Sequence, residues 1–293
     1  MDVLLAQLLN SLLYAAVLFL IAGGLSLIYG VMRIVNLAHG SLFALGAYVM
    51  AWGVSRVAGA SGAEPAYLIV LLPVAAAAVG ATGAVVEPLF LRPLYARAEE
   101  YQLLLTFGLL LILEDAMRYV WGATPLTVSP LWASFGSLHV LGATYPRYNV
   151  VVILLGLATA ILLWAFVFKT RFGVILRATS QNRRMAAALG INVSAVYVQA
   201  FALGCVMAGL AGAVIVPIQG AVLGMGVDAL ILAFVVVVIG GLGSLEGALV
   251  GALIVGLVRT IAIQYFPELE LAVLYLIAAV VLITRPAGLL GRA

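Results

Sequence analysis

The side chains able to do chemistry are few in this chain of 293 residues: two histidines, one cysteine and eleven carboxylates. His39 and His139 each lack a Cys, Asp or Glu partner nearby in sequence, so no metal site is expected. No Gly-x-x-x-x-Gly-Lys-Ser/Thr phosphate loop occurs, nor a Gly-x-Ser-x-Gly elbow or a Ser/His/Asp set arranged for hydrolysis. The expectation is a protein that is no enzyme and binds no cofactor of its own. Cys205 lies inside an apolar run and reads as packing.

What remains is a set of polar residues where apolar ones are expected. In Arg33–Ala47, Asn36, His39, Gly40 and Ser41 fall together inside a hydrophobic stretch, with Gly46 adding a second small residue. Such a segment permits close helix contact or an unwound backbone of the kind that borders a solute path. The plainer alternative is that Asn36 and His39 only bond neighbouring helices. A second segment, Ile239–Ala252, echoes the first: Gly-Ser-Leu at 40–42 recurs at 243–245, each followed by a Gly-Ala pair, at 46–47 and 251–252. The pair gives a candidate translocation path of Asn36, His39, Gly40, Ser41, Gly240, Gly241, Gly243 and Ser244, with Glu246 at a cytoplasmic mouth. Glu114 and Asp115 precede Arg118 by four and three residues, a spacing that predicts a local ion pair on one helical face.

The stretch from Lys169 to Asn192 holds Lys169, Arg171, Arg177, Arg183 and Arg184 and no acid. Within it the run from Arg177 to Asn192 predicts one short helix stopped at Gly190. That helix either seats on a partner or lies against water and anionic headgroups.

These groups must be positioned by elements of a particular kind. The composition is 66% apolar and 9% charged, with a mean hydropathy of +1.26; a water-soluble domain carries about 45–50% and about 25%. Disorder, a collagen repeat, a disulfide scaffold and nucleic-acid binding are set aside on the same composition. The prediction is an all-α, polytopic transmembrane bundle of about nine spans (eight to ten), with broken helices near the midplane. The candidate spans are 11–31, 37–55, 66–86, 102–120, 149–168, 195–217, 228–243, 246–263 and 271–285, each read against about 20 apolar residues per crossing. No basic stretch precedes the first apolar run, so that run is expected to be retained. No linker divides the chain, so residues 1–293 are read as a single domain.

Basic residues gather on the cytoplasmic side of membrane proteins, which places 169–192 inside. Nine spans then put the N-terminus outside and the C-terminus inside. By this count ten basic residues, including Arg285 and Arg292, lie inside, against Arg56, Arg118, Arg147 and Arg259 outside. The outer segment 121–148, with Trp121, Trp132 and Tyr145, is expected to be an ordered loop anchored at the interface.

Three stretches resemble the permease subunits of importers for branched-chain amino acids, the LivH/LivM type, and look closer to LivH. They are Tyr29–Gly30 through Asn36-Leu-Ala-His-Gly40 to Gly46-Ala-Tyr48; Gly173 and Arg177-Ala178 through Met185-Ala-Ala to Leu189-Gly-Ile-Asn192; and Gly240-Gly-Leu-Gly-Ser244 through Gly247-Ala248. Arg92-Pro93-Leu94 after Glu87 and the closing Arg285-Pro-Ala-Gly288 are similar too.

The resemblance implies a multi-pass protein of the cell (inner) membrane, working with two cytoplasmic ATPase subunits, a homologous second permease and an extracytoplasmic solute-binding protein. ATP would be used by the partner subunits. The helix carrying Arg177, Asn182, Arg183, Met185, Ala186, Ala187, Leu189 and Gly190 would then couple to an ATPase. Arg33, Ser41 and Glu246 depart from the family pattern. The solutes the resemblance implies are hydrophobic amino acids, with urea and short amides the alternative in the same class. A stand-alone channel or ion-coupled carrier is the rival from another class; it would need a titratable cluster at the midplane.

Overall fold

A computed structural model describes residues 2–58, 64–140 and 143–291. The first helix, α1 (Asp2–Met32), begins nine residues before the expected span and ends at Arg33, whose φ is +58°. A non-glycine residue is uncommon there. The Arg33 N–H donates to the Tyr29 carbonyl at 2.8 Å, closing the helix as a C-terminal cap.

The chain then runs without helix through Ile34–Ala38 and starts α2 (His39–Ala58) beside Ile21 and Gly24 of α1. Ile21 lies eleven residues before the end of α1, so α2 starts about 16 Å inside the end of α1. Such a break is stable in a membrane only when its polar backbone is enclosed by protein. Here Asn36 does the local work: its Oδ1 accepts from Ala38 N at 3.2 Å and its carbonyl accepts from His39 N at 3.2 Å, turning the chain into α2. Thr106 donates to the Val35 carbonyl and Ser41 to that of Leu110, tying the break to α4 (Glu99–Trp121).

Between them, α3 (Tyr67–Val86) passes into a single π turn, Glu87–Leu91, and a 3₁₀ turn, Arg92–Leu94. Pro88 and Pro93 explain the change, since proline lacks the N–H of the α ladder and its ring displaces the preceding turn.

The segment 121–148 contains α5 (Ser129–Ser134) and a small antiparallel pair of β1 (Ser137–Val140) and β2 (Ala143–Pro146), an exception to the all-α expectation. Its aromatic residues make contacts within the protein. Trp132 donates to Asn149, Tyr145 to Asn10, and Trp121 packs on Tyr48 with ring centres 5.5 Å apart.

After α6 (Arg147–Lys169) come α7 (Arg171–Gln181), α8 (Arg183–Ala188), α9 (Val193–Gln219), α10 (Met225–Gly240), α11 (Leu245–Tyr265) and α12 (Glu270–Thr284). Each of the nine candidate spans falls on a helix. Among the described residues six helices are long and apolar enough to cross a membrane: α1, α3 with its following turns, α6, α9, α11, and α12 with its preceding turn. The expected span 228–243 is a 16-residue helix followed by a glycine turn. At 1.5 Å per residue α10 reaches about 24 Å, less than the about 30 Å of hydrocarbon.

The centre of the bundle is α1 and α9, flanked by α2, α3 and α11, while α12 packs at the edge. Glycines let these helices approach at backbone distance: Gly24 against Gly204, Gly40 against Gly226, Gly46 against Gly209 and Gly240 against Gly247.

The predicted ion pair of Glu114 and Asp115 with Arg118 does not form. Among the described residues the ion pairs are Glu87–Arg92 and Glu270–Arg259. For Glu87 the reason is burial, since it has no exposed surface and so requires a cation; Glu114 and Glu270 are both half-buried. Asp115 and Arg118 lie exposed in the last two turns of α4, where nothing forces the charges together. Arg292 lies outside the described residues.

Candidate functional site

The eight path residues divide between two places. Asn36, His39, Gly40 and Ser41 sit at the deep start of α2, all buried. His39 Nε2 bonds the Ile21 carbonyl at 3.0 Å, and Ser41 Oγ that of Leu110 at 3.1 Å. Neither Asn36 Nδ2 nor His39 Nδ1 has a partner. Gly240, Gly241, Gly243 and Ser244 form the turn from α10 to α11, next to Gly30 near the end of α1. Gly241 and Gly243 have φ of +114° and +80°, conformations that exclude ordinary side chains. Ser244 caps α11, its Oγ accepting from Gly247 N at 2.9 Å. The repeated Gly-Ser-Leu therefore serves two different local purposes, the first turn of a helix at 40–42 and a turn with a cap at 243–245.

The end of the bundle where α1, α6 and α10 finish holds a cavity of about 230 Å³. It is bounded by the ends of α1 and α6, by α7, and by the α10–α11 turn. Gly243, Ser244 and Arg177 from the predicted sets line it, together with Ser26, Arg33 and Glu246. Reading by local pattern missed Ser26 altogether; Arg33 and Glu246 were visible as charges flanking the two glycine breaks.

The connector 169–192 is two helices where one was expected. Thr170 caps α7 by accepting from Gly173 N at 3.0 Å, and Asn182 caps α8 by accepting from Met185 N at 2.9 Å. Capping by Asn182 takes it out of helical conformation, with φ −151° and ψ 94°, and this separates α7 from α8. Gly190, at φ +83°, ends α8: its N–H bonds Ala187 and that of Ile191 bonds Ala186, each at 3.0 Å. Ala186 is the one buried residue of α8. Arg183, Arg184 and Ala187 are exposed, and so are Met185 at 58% and Leu189 at 75%.

A further cluster was legible only as a resemblance. In the π turn after α3, Glu87 accepts from Arg92 Nη2 at 3.2 Å and from the Tyr95 hydroxyl, and Tyr95 packs edge-on against Tyr197 of α9 at 5.2 Å. Burial pushes the Tyr95 phenol up from its ordinary value, with the Glu87 carboxylate acting in the same direction, so it stays a proton donor. The two charges are unequally buried, at 0% exposure for Glu87 and 41% for Arg92. Arg92→Gln therefore strands a carboxylate in protein and is expected to cost about 2–3 kcal/mol, toward the range for breaking a buried pair. Glu87→Gln leaves a cation that water can reach and is expected to cost about 1 kcal/mol. Unfolding of the two variants by denaturant titration in detergent tests this order; equal losses would refute it.

A bundle of apolar helices with an enclosed helix break defines a multi-span membrane protein, and the sequence carries no phosphate loop. The sequence model for "Branched-chain amino acid transport system / permease component" matches residues 7–283, and the chain belongs to that family. It is 27% identical to the high-affinity branched-chain amino acid transport system permease protein BraD of Pseudomonas aeruginosa, over 98% of this chain and 96% of that one. The LivH permease of Escherichia coli (strain K12) is likewise 27% identical, with 98% and 96% covered. The probable LivH permease of Methanocaldococcus jannaschii is 28% identical over 87% of this chain and 80% of its own. Among solved structures, PsaBC from Streptococcus pneumoniae in complex with Fab aligns with a TM-score of 0.47 at 15% identity, covering 92% of this chain and 87% of that chain.

Proposed function

We propose that this permease is the membrane path of an ATP-driven importer, carrying branched-chain or other hydrophobic amino acids into the cytoplasm. Two cytoplasmic ATPase subunits supply the energy, a second homologous permease completes the path, and a solute-binding protein delivers from outside. The chain spans the inner membrane with its N-terminus outside and its C-terminus in the cytoplasm.

The observation that carries this reading is α8. A six-residue helix held by one buried alanine, the Asn182 cap and a glycine stop presents Met185 and Leu189 beside two arginines, in the most basic stretch of the chain. Exposed apolar anchors flanked by charge on a rigid, capped scaffold suit a protein groove better than water. The residues Arg177, Asn182, Arg183, Met185, Ala186, Ala187, Leu189 and Gly190 are assigned to this coupling. The path is assigned to Asn36, His39, Gly40, Ser41, Gly240, Gly241, Gly243 and Ser244, whose packed contacts hold the two breaks until closure of the ATPases rocks the bundle. The names of the relatives support the solute class.

The test is extraction of the complex from native membranes, identification of its subunits by mass spectrometry, and ATPase assay with solute-loaded binding protein. Recovery of an ATPase and a second permease, with turnover stimulated by leucine and not by urea, is expected. Recovery of this chain alone, with flux in ATP-free vesicles, would overturn the importer; stimulation by urea alone would overturn the solute.

A further inference from the structure

The cavity at the inner end of the bundle has a composition that the path does not require. Its lining combines charged and polar groups, Arg33 at the end of α1, Arg177 on α7, Glu246 in the first turn of α11, Ser26 and Ser180, with the apolar side chains of Leu27, Val31, Phe168 and Leu242. Arg33, Arg177 and Glu246 belong to no ion pair among the described residues. Arg177 is held with its guanidinium 5.0 Å from the centre of the Phe168 ring, which orients it without neutralising it.

Ser26 supplies an independent sign of a ligand. Hydroxyls on the helices of this bundle bond back to the carbonyl four residues earlier, as Ser11, Thr82, Thr159, Thr179 and Thr260 do. Ser26 does not. It has no exposed surface, and its Oγ has no partner although it borders the cavity. A buried hydroxyl without a partner is costly, and an acceptor placed in the cavity would remove that cost.

We propose that this cavity is a binding site for one free aliphatic α-amino acid, its carboxylate met by Arg33, Arg177 and the Ser26 hydroxyl, its ammonium by Glu246, and its side chain by Leu27, Val31 and Phe168. Two cations and one anion in one cavity with apolar side chains complement a zwitterion with an apolar tail. A simple anion would leave Glu246 opposed to it, and an uncharged amide would leave all three charges unanswered. The volume lies below the roughly 300–1,000 Å³ typical of drug-sized ligand sites, which suits a single amino acid and not a nucleotide or peptide. The proposal rests on the importer reading for the side of the membrane, and it adds a site on the product side, separate from the deep break at Asn36–Ser41.

The test uses the whole importer complex in detergent, without its binding protein, and titrates radiolabelled leucine. Saturable binding is expected, weakened about tenfold or more in Arg33→Gln through loss of a charge-assisted contact. It should be abolished in Leu242→Trp, where a larger side chain at a half-exposed position fills the cavity. Leucinol, which lacks the carboxylate, and 4-methylvalerate, which lacks the ammonium, should compete at least tenfold more weakly than leucine. Binding unchanged in both variants would overturn the assignment, as would displacement by phosphatidylglycerol vesicles or inorganic phosphate but not by unlabelled leucine, the mark of a headgroup site. Leucine uptake by the reconstituted complex without such binding overturns this site and leaves the importer intact; binding without leucine uptake keeps the site and overturns the proposed solute.

Discussion

Replacement of Gly40 by alanine is expected to destabilise the bundle by at least about 4 kcal/mol, beyond the usual range for a point change. An added Cβ would lie 2.0 Å from the carbonyl oxygen of Gly226, and 2.8 Å from both its carbonyl carbon and Leu230 Cβ. None of these is the end of a flexible side chain, so relief requires movement of α10 itself. Movement is resisted because the α9–α10 turn is fixed by the Leu126–Ala221 bridge, and because the approach is close in the other direction too: a Cβ added at Gly226 would lie 2.6 Å from the Gly40 carbonyl oxygen. Overpacking normally costs about 1–3 kcal/mol when side chains can rearrange, and here backbone meets backbone. Gly108 in α4 is the control, since a Cβ there meets nothing within 4 Å and alanine raises helix propensity by up to about 1 kcal/mol. Size-exclusion profiles and thermal unfolding of tagged variants in detergent give the comparison. If Gly40→Ala matched Gly108→Ala in stability and lost only transport, Gly40 would be a wall of the path and not a packing contact.

The same glycines show what a sequence discloses and what it withholds. Small residues interrupting apolar runs at 40–46 and 240–247 are visible as breaks, because lipid-facing helices have no need of them. Their partners are not visible. Gly40 meets Gly226, and Gly46 meets Gly209, across separations that no local period encodes. Asn36 and His39 signalled a special segment, yet only the folded chain shows that the helix starts deep beside Ile21 and that both side chains are enclosed there.

The basic connector was legible as helical from composition, and Gly190 as its stop. The division at Asn182 was not, because alanine, methionine and arginine favour a continuous helix, while an asparagine competing for the backbone decides otherwise. Charge pairing was misread for a related reason: spacing on a helix permits the pair at 114–118, but burial selects Glu87. Nothing in the pattern from 137 to 146 announced strands; the pair of four-residue strands is set by its tertiary setting, including the bond from Tyr145 to Asn10.

Transport itself is expected to fail when the outward face of α8 is made acidic. In Met185→Glu/Leu189→Glu, two exposed apolar anchors beside Arg183 and Arg184 become carboxylates. If both enter a groove on an ATPase, each costs about 2 kcal/mol or more, as buried anchors of interfaces do, and leucine uptake should fall by roughly 100-fold or more. Insertion and thermal stability should stay within about 0.5 kcal/mol of the original, because neither side chain is packed in this chain. This double variant separates coupling from folding more cleanly than changes at the neighbouring positions. Ala186 is 2% exposed and anchors the helix, and Gly190 needs its positive φ, so substitutions there disturb α8 before they reach any partner. Co-purification of the ATPase with the permease should be lost in parallel with uptake, and Leu189→Met, which keeps an apolar anchor of similar size, should retain both. Normal uptake in the double glutamate variant would remove α8 from the coupling surface and leave its exposed residues to the lipid headgroups.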